Sequence, residues 1–496
     1  MSLTSSIQVP KGGPEPLQIP LPGEVEELRP LEALERLAGL PNRVLLESRG
    51  RQGTFSFLSA APRKVVSLRE GDGQDPFKAL ERLLEPRSQV GAGTTAPGFP
   101  PFPGGIVGYL AYESGGFLER LPPPPADDVG MPGAWFGVFD WAVVWHHSFE
   151  ECRLLGTPLP GSDPKELRGR MEAVAERLAG TAPDSLESRT PGKHVTAGSP
   201  LREVVRSQGT RRAEHALPAH LTSLDRDAFM AGVERIREYI RAGDLFQANL
   251  TRRITVGWEA TGEELYRRMM EESPAPYGAL LETGEGDVVS ISPEGFLSLR
   301  GRVVETRPIK GTAPRSEDPE RDRARAVALE GSEKDRAENV MIVDLLRNDL
   351  SRVCQDGSVE VPELLALESH PTVHHLVSTV RGRLRDDAGP VDLLRASFPG
   401  GSVTGAPKIR AMEILRELEP VRRGVYTGAL GILGFGGDME LSIPIRTAVC
   451  RKGRVRYGTG GGITLASDPA GEWVETEDKA LAFFRALGSG SAGGGS

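Results

Sequence analysis

The sequence predicts an α+β fold built on antiparallel sheet, and three observations predict it. Short apolar runs come in pairs around tight turns: Arg300-Gly301 separates 296–299 from 302–306, and Lys452-Gly453 separates 445–450 from 454–457. Helical stripes stand apart from these hairpins, at 333–349, 407–419 and 472–487. The hairpins also follow one another directly, whereas a doubly wound parallel sheet needs a helix between successive strands.

The elements follow in chain order. Residues 1–24 are Pro-rich and extended, and 25–40 carry helical apolar spacing. Strand-like runs at 43–47 and 54–58 are closed by Ala61-Pro62. Glycines flank an apolar, aromatic run at 102–113, and 134–145 is rich in Trp and Val like one buried strand. A helix over 164–178 ends near Gly180, completing an N-terminal domain of 25–180. From 181 to 222 periodicity vanishes among Ser, Thr, Pro, Gly and charges, which predicts a disordered linker. Phe229, Val233, Ile236 and Ile240 then form a helical stripe ending at Gly243, which opens a larger second domain of 223–487. The stretch 488–496 is Gly, Ser and Ala, a flexible tail.

Length and composition narrow the function. At 496 residues the chain is long enough for two or three domains with ample core. Lys plus Arg number 60 against 69 Asp plus Glu, a net charge of −9 with no basic run, which argues against a nucleic-acid binder held by phosphate neutralisation and favours a small ligand. Cys152, Cys354 and Cys450 show no metal-ligand spacing and are expected to be reduced thiols. No apolar run approaches the ~18 residues of a membrane span, and the first residues lack the apolar core of a secretory signal, so a cytoplasmic location is expected.

Three features carry chemistry. Asp335 and Glu338 lie three apart on one helix, as do Glu472 and Glu475 on another, so two helices can each offer a carboxylate pair to one hard cation. Such spacing alone fits a solvated helix face equally, but the run Val340 to Leu346 makes the first helix apolar nearly all round, which argues burial. Lys310, in Pro308-Ile309-Lys310-Gly311-Thr312, is flanked by Arg307 and Arg315, which would destabilise its ammonium and make it nucleophilic; an ordinary surface lysine fits the same local pattern. The glycine-rich turns at 400–408 and 458–462 suit an anion. Ala406-Pro407 separates Gly405 from Lys408, so the first is no P-loop.

Taken together, these strings resemble one family, the chorismate-utilising enzymes. They are Leu45-Leu46-Glu47-Ser48, Gly104 to Tyr109, Ala242 to Gln247, Ser292-Pro293-Glu294, Pro308 to Thr312, Asp335-Arg336-Ala337-Glu338-Asn339, Gly405-Ala406-Pro407-Lys408, Ile445-Arg446-Thr447 and the glutamates before Lys479. The resemblance is nearly continuous over 225–484 and patchier over 45–145. Lys310, Asn249, Asn339 and the Pro-Tyr-Gly at 276–278 are closer to the aminodeoxychorismate branch than to the anthranilate branch, which typically carries Ala at the Lys310 position and Pro-Tyr-Met at the last. Gln247 stands where the water-using members carry a Lys that activates water.

The resemblance implies an antiparallel sandwich with helices on its outer faces and a set of roles. Glu338 and Glu475 would hold Mg²⁺ against the ring carboxylate of chorismate, with Asp335 and Glu472 acting through water. Glu294 would protonate the departing C4 hydroxyl and Lys310 would add at C2. Tyr426, Arg446, Lys479 and a nest at Gly460, Gly461 and Gly462 would bind carboxylates, and His375 and Thr312 would contact the ring hydroxyl. A lone His such as His375 is also commonly a core hydrogen-bonding residue. Leu46, Glu47 and Ser48, with Pro274 and Tyr277, resemble the segment lining a tryptophan regulatory pocket. The chain contains no Gly-x-Cys-x-Gly elbow, so ammonia would come from a separate glutamine amidotransferase subunit. The expected reaction is amination of chorismate toward 4-aminobenzoate and folate; the alternatives are anthranilate synthesis and a non-catalytic tryptophan-sensing relative.

Overall fold

The computed structural model describes residues 17–21, 27–48, 55–69, 71–84, 102–180, 220–369 and 373–488. Two large antiparallel sheets organise them. The twelve-stranded sheet runs, edge to edge, through Leu17–Ile19, Glu151–Gly156, Trp141–His146, Phe55–Ser59, Val44–Glu47, Tyr277–Glu282, Asp287–Ser292, Thr447–Arg451, Arg454–Ile463, Gln247–Gly257 and Gly405–Ala406, with His220–Thr222 beside Gln247–Gly257. The ten-stranded sheet runs through Ile309–Pro314, Val373–Arg383, Val303–Thr306, Gly295–Arg300, Met439–Ser442, Ala429–Gly434, Gly105–Leu110, Ala134–Phe139 and Lys64–Leu68, with Glu360–Ser369 beside Val373–Arg383.

Side-chain alternation makes these sheets a sandwich. Val107, Tyr109, Trp135 and Leu430 of the ten-stranded sheet pack with Val44, Ala279, Leu281 and Val288 of the other in one inner core. Their neighbours along the strands face outward. Ile106, Leu110, Phe136 and Val138 meet the helices Pro76–Leu84, Glu333–Ser351 and Pro390–Ser397. Leu45, Leu58, Val143 and Leu280 meet Pro30–Arg36, Pro164–Ala179, Gly262–Glu272 and Pro469–Gly488. Strands buried on both faces therefore lose the polar half of their alternation, which is why Gly105–Leu110 is buried throughout.

Both sheets draw strands from 25–180 and from 223–487. Leu45 registers with Leu280, and Val107 with Ile432. The helix from Phe229 forms over Arg226–Ala242, started by the Asp225 carboxylate accepting from Ala228 N at 2.9 Å and ended by Gly243 at φ 84°. Three expectations need correction. The run 134–145 is two strands: Ala134–Phe139 belongs to one sheet and Trp141–His146 to the other, and the chain crosses between them at buried Asp140, held by Arg170 at 2.8 Å. Asp140, the one charged residue of the run, marks the corner. The 25–40 helix shrinks to Pro30–Arg36, and Gly39 adopts φ 86°. Finally, His220–Thr222, at the end of the expected linker, is a strand; 181–219 and 489–496 lie outside the described residues.

Candidate active site

The site lies where the edge of the ten-stranded sheet approaches the Gln247–Gly257 and Arg454–Ile463 strands of the other. A β-bulge aims its lysine. Ile309 pairs with Val377 and Thr312 with His375, so Lys310 and Gly311 together face one residue of the partner strand. Gly311 permits this with φ 86°, and a Cβ there would press on Asp335 Cβ at 3.0 Å. Lys310 Nζ donates to Ser402 O at 3.2 Å. The flanking arginines do not face it, contrary to expectation: Arg307 binds Glu368, and Arg315 binds Asp322 at 2.8 Å. The charges that act across the site with Lys310 are carboxylates, Glu294, Glu338 and Glu475.

Glu294 follows the Asp287–Ser292 strand and is 6% exposed. Burial pushes its pKa above the ordinary carboxylate value, against the pull of Lys310 and Lys479. A raised pKa shifts a buried carboxyl toward the protonated form that a general acid needs. His375 is equally enclosed, and its Nδ1 shares a 2.8 Å hydrogen bond with Thr312 Oγ1, so the two residues predicted to touch the ring are one unit.

The acidic pairs converge from two helices, Glu333–Ser351 and Pro469–Gly488. The convergence depends on glycine. A Cβ on Gly461 would stand 3.0 Å from Glu472 Oε2 and 3.7 Å from Glu475 Oε1, while one on Gly462 would overlap Gln247 Nε2 and lie 3.7 Å from Glu338 Oε2. Three buried acceptors in this cradle, Glu338 Oε1, Glu472 Oε2 and Gln247 Oε1, have no hydrogen-bond partner. Burial raises the Glu338 pKa, and Asp335 and Glu472 add to the rise. Burial works against Glu475 as well, but the Lys479 ammonium at 2.7 Å, with Lys334 and Lys310, outweighs it and holds Glu475 below the ordinary value. Among the described residues, no three His, Cys, Asp or Glu side chains converge on one metal position as they stand.

Two further residues were legible only in three dimensions. Lys334 Nζ lies 3.6 Å from Glu472 Oε1 and 4.0 Å from Glu338 Oε1, bridging the two acidic helices. Ser402, in a short 3₁₀ turn, supplies the carbonyl that holds Lys310. Their only sequence signal was proximity to the motifs.

The glycines at 460–462 form no nest. They are extended strand residues paired with Thr251, Leu250 and Asn249, and a nest needs alternating backbone hands. What they supply is clearance, together with the Gly460 carbonyl that accepts from Lys479 Nζ at 2.8 Å. In the other glycine-rich turn Ser402 faces Lys310, whereas Lys408 is structural and binds Asp349 and Ser397 O. Tyr426 is 9% exposed with its ring against Gly458. Thr427 and Arg446 both have positive φ, 62° and 49°; Thr427 N bonds Pro444 O, and Arg446 O accepts from Ile291 N.

Leu46, Glu47, Ser48 and Tyr277 line a separate cavity of about 230 Å³ between the sheets; Pro274 is not in its wall. Its polar groups are engaged, with Tyr266 Oη donating to Glu47 Oε2 at 2.9 Å and Ser48 Oγ to Pro276 O at 2.8 Å.

Comparison with known proteins decides the family. The model describing chorismate binding enzymes matches residues 41–485. The chain belongs to the chorismate-binding enzymes. Within that family it is 39% identical to anthranilate synthase component 1 of Thermus thermophilus, covering 94% of this chain and 96% of that one. It is 40% identical to aminodeoxychorismate synthase component 1 of Klebsiella aerogenes, covering 86% and 88%. Among solved structures, anthranilate synthase component I of Streptococcus pneumoniae superposes with a TM-score of 0.74 at 29% identity, over 94% of this chain and 99% of that one. The family makes this a chorismate-utilising enzyme. No described helix is long and apolar enough to cross a membrane.

Proposed function

We propose that this enzyme aminates chorismate at C4 to give 4-amino-4-deoxychorismate, with ammonia supplied by a separate glutaminase subunit. Lys310 carries the reading. Overall identity to the two component 1 siblings is even, so discrimination rests on single positions, and a lysine poised beside a buried, protonation-prone Glu294 is the one that supplies a nucleophile.

Glu294 gives its proton to the C4 hydroxyl while Lys310 Nζ, reacting as the neutral amine, forms a bond to C2, the ring double bonds shift, and water departs from C4. Ammonia then bonds to C4, the double bonds shift back, and the C2–Nζ bond breaks to release Lys310. Two displacements preserve the stereochemistry. Thr312 and His375, as one hydrogen-bonded unit, orient the hydroxyl, and Arg446 and Tyr426 face the carboxylates. The unpartnered oxygens of Glu338 and Glu472, with Glu475, fit a divalent cation, and Mg²⁺ bound there would neutralise the ring carboxylate. Gln247 has no basic nitrogen to activate water, which favours ammonia as the final nucleophile.

The test is purified chain with chorismate, Mg²⁺ and ammonium, products resolved by mass. An aminated product that retains its enolpyruvyl group is expected. Anthranilate with free pyruvate overturns the reading in favour of the sibling reaction.

A further inference from the structure

We propose that a second cavity, between the 127–133 loop and the strands Gln247–Gly257 and Arg454–Ile463, is a binding site for a small carboxylate or phosphate, held by Arg253 and Arg456. The cavity encloses about 190 Å³, and neither Lys310, Glu294, Glu338 nor Arg446 lines it.

The two arginines share one face of adjacent strands, because Arg253 registers with Gly458 and Thr255 with Arg456. Three of their buried donors, Arg253 Nε and Nη1 and Arg456 Nη1, have no hydrogen-bond partner. Nearby acids are already engaged. Glu419 accepts from Arg423 and Thr251, Glu113 from the backbone of Arg423 and Gly424, and Asp127 from the backbone of Val129 and Gly130. Asp128 reaches Arg253 through Nη2 alone. Burial and the neighbouring charge of Arg253 lower the Arg456 pKa, and Asp128 offsets them only in part. Enclosed guanidinium donors left unmade are costly, and the planar fork of an oxyanion matches them. Tyr426 and Thr447 also line the cavity, so it shares Tyr426 with the proposed chorismate site but not Lys310, Glu294, Glu338 or Arg446.

The full chain is titrated with inorganic phosphate and, separately, malonate, at constant ionic strength against chloride. One anion should raise Tm by about 2 °C or more near 10 mM and bind measurably in calorimetry. Arg253→Gln and Arg456→Gln should each weaken that binding by at least about tenfold, while Arg446→Gln leaves it intact. Without anion, Arg456→Gln should show an equal or higher Tm, because it removes an unpaired cation. The proposal is overturned by stabilisation no greater than that of chloride, by loss of binding in Arg446→Gln with retention in Arg456→Gln, which would move the anion to the catalytic cleft, or by a lower Tm of Arg456→Gln without anion. Phosphate against malonate decides the ligand chemistry.

Discussion

Two lysines from neighbouring motifs, Lys408 and Lys310, end in opposite circumstances. Lys408 Nζ binds Asp349 Oδ2 at 2.7 Å and Ser397 O at 2.9 Å, and burial lowers its pKa, an effect that carboxylate offsets only in part. Lys310 Nζ has one carbonyl at 3.2 Å, and around it stand acids with unpartnered oxygens. A satisfied pair stabilises the fold, and an unsatisfied cluster waits for a ligand. Unmade hydrogen bonds set the proposed site apart from the Lys408–Asp349 pair.

Glu294→Gln should give the largest effect, abolishing turnover, since an amide can bond the C4 hydroxyl but cannot protonate it. Its stability effect has a fixed sign. Because the folded-state pKa is raised, wild-type stability is full below the ordinary value near 4.5 and is lost as pH rises toward the raised value. The variant should therefore melt above wild type at neutral pH, with the gap closing below pH 4.5; equal melting across pH 4–8 would show an unperturbed Glu294.

Lys408→Ala sharpens the comparison from the structural side. It strands Asp349, 5% exposed, and should cost about 3–5 kcal/mol in urea unfolding. Asp349→Leu added to it should recover much of that loss; no recovery would mean that Lys408 contributes mainly through packing.

Lys310→Ala should lower aminodeoxychorismate formation at least ~10²-fold while leaving the urea midpoint nearly unchanged. Unchanged turnover would remove Lys310 from the chemistry. Smaller still, Glu338→Gln and Glu475→Gln should each raise the Mg²⁺ requirement about tenfold, because a neutral amide oxygen serves a hard dication poorly. Calorimetry giving wild-type Mg²⁺ affinity in both would dissolve the proposed metal site.

Local patterns were legible wherever the deciding contacts are local. Phe229 to Gly243 announced its helix, Gly301 and Gly453 their turns, and the i,i+3 acidic pairs their helix faces. Sheet partners are chosen by surfaces distant in sequence, so the corner at Asp140 and the sharing of both sheets between 25–180 and 223–487 left no periodic trace. The same holds in the site. The sequence, through its family resemblance, nominated the residues proposed for acid, nucleophile and carboxylate chemistry. Tertiary structure alone decided that a bulge at Lys310-Gly311 turns the lysine toward acids rather than arginines, that Gly461 and Gly462 give clearance instead of a nest, and that Lys334 and Lys479 hold the glutamates. The physical reason is that charge acts through space, and composition does not specify which side chains the fold brings within 4 Å.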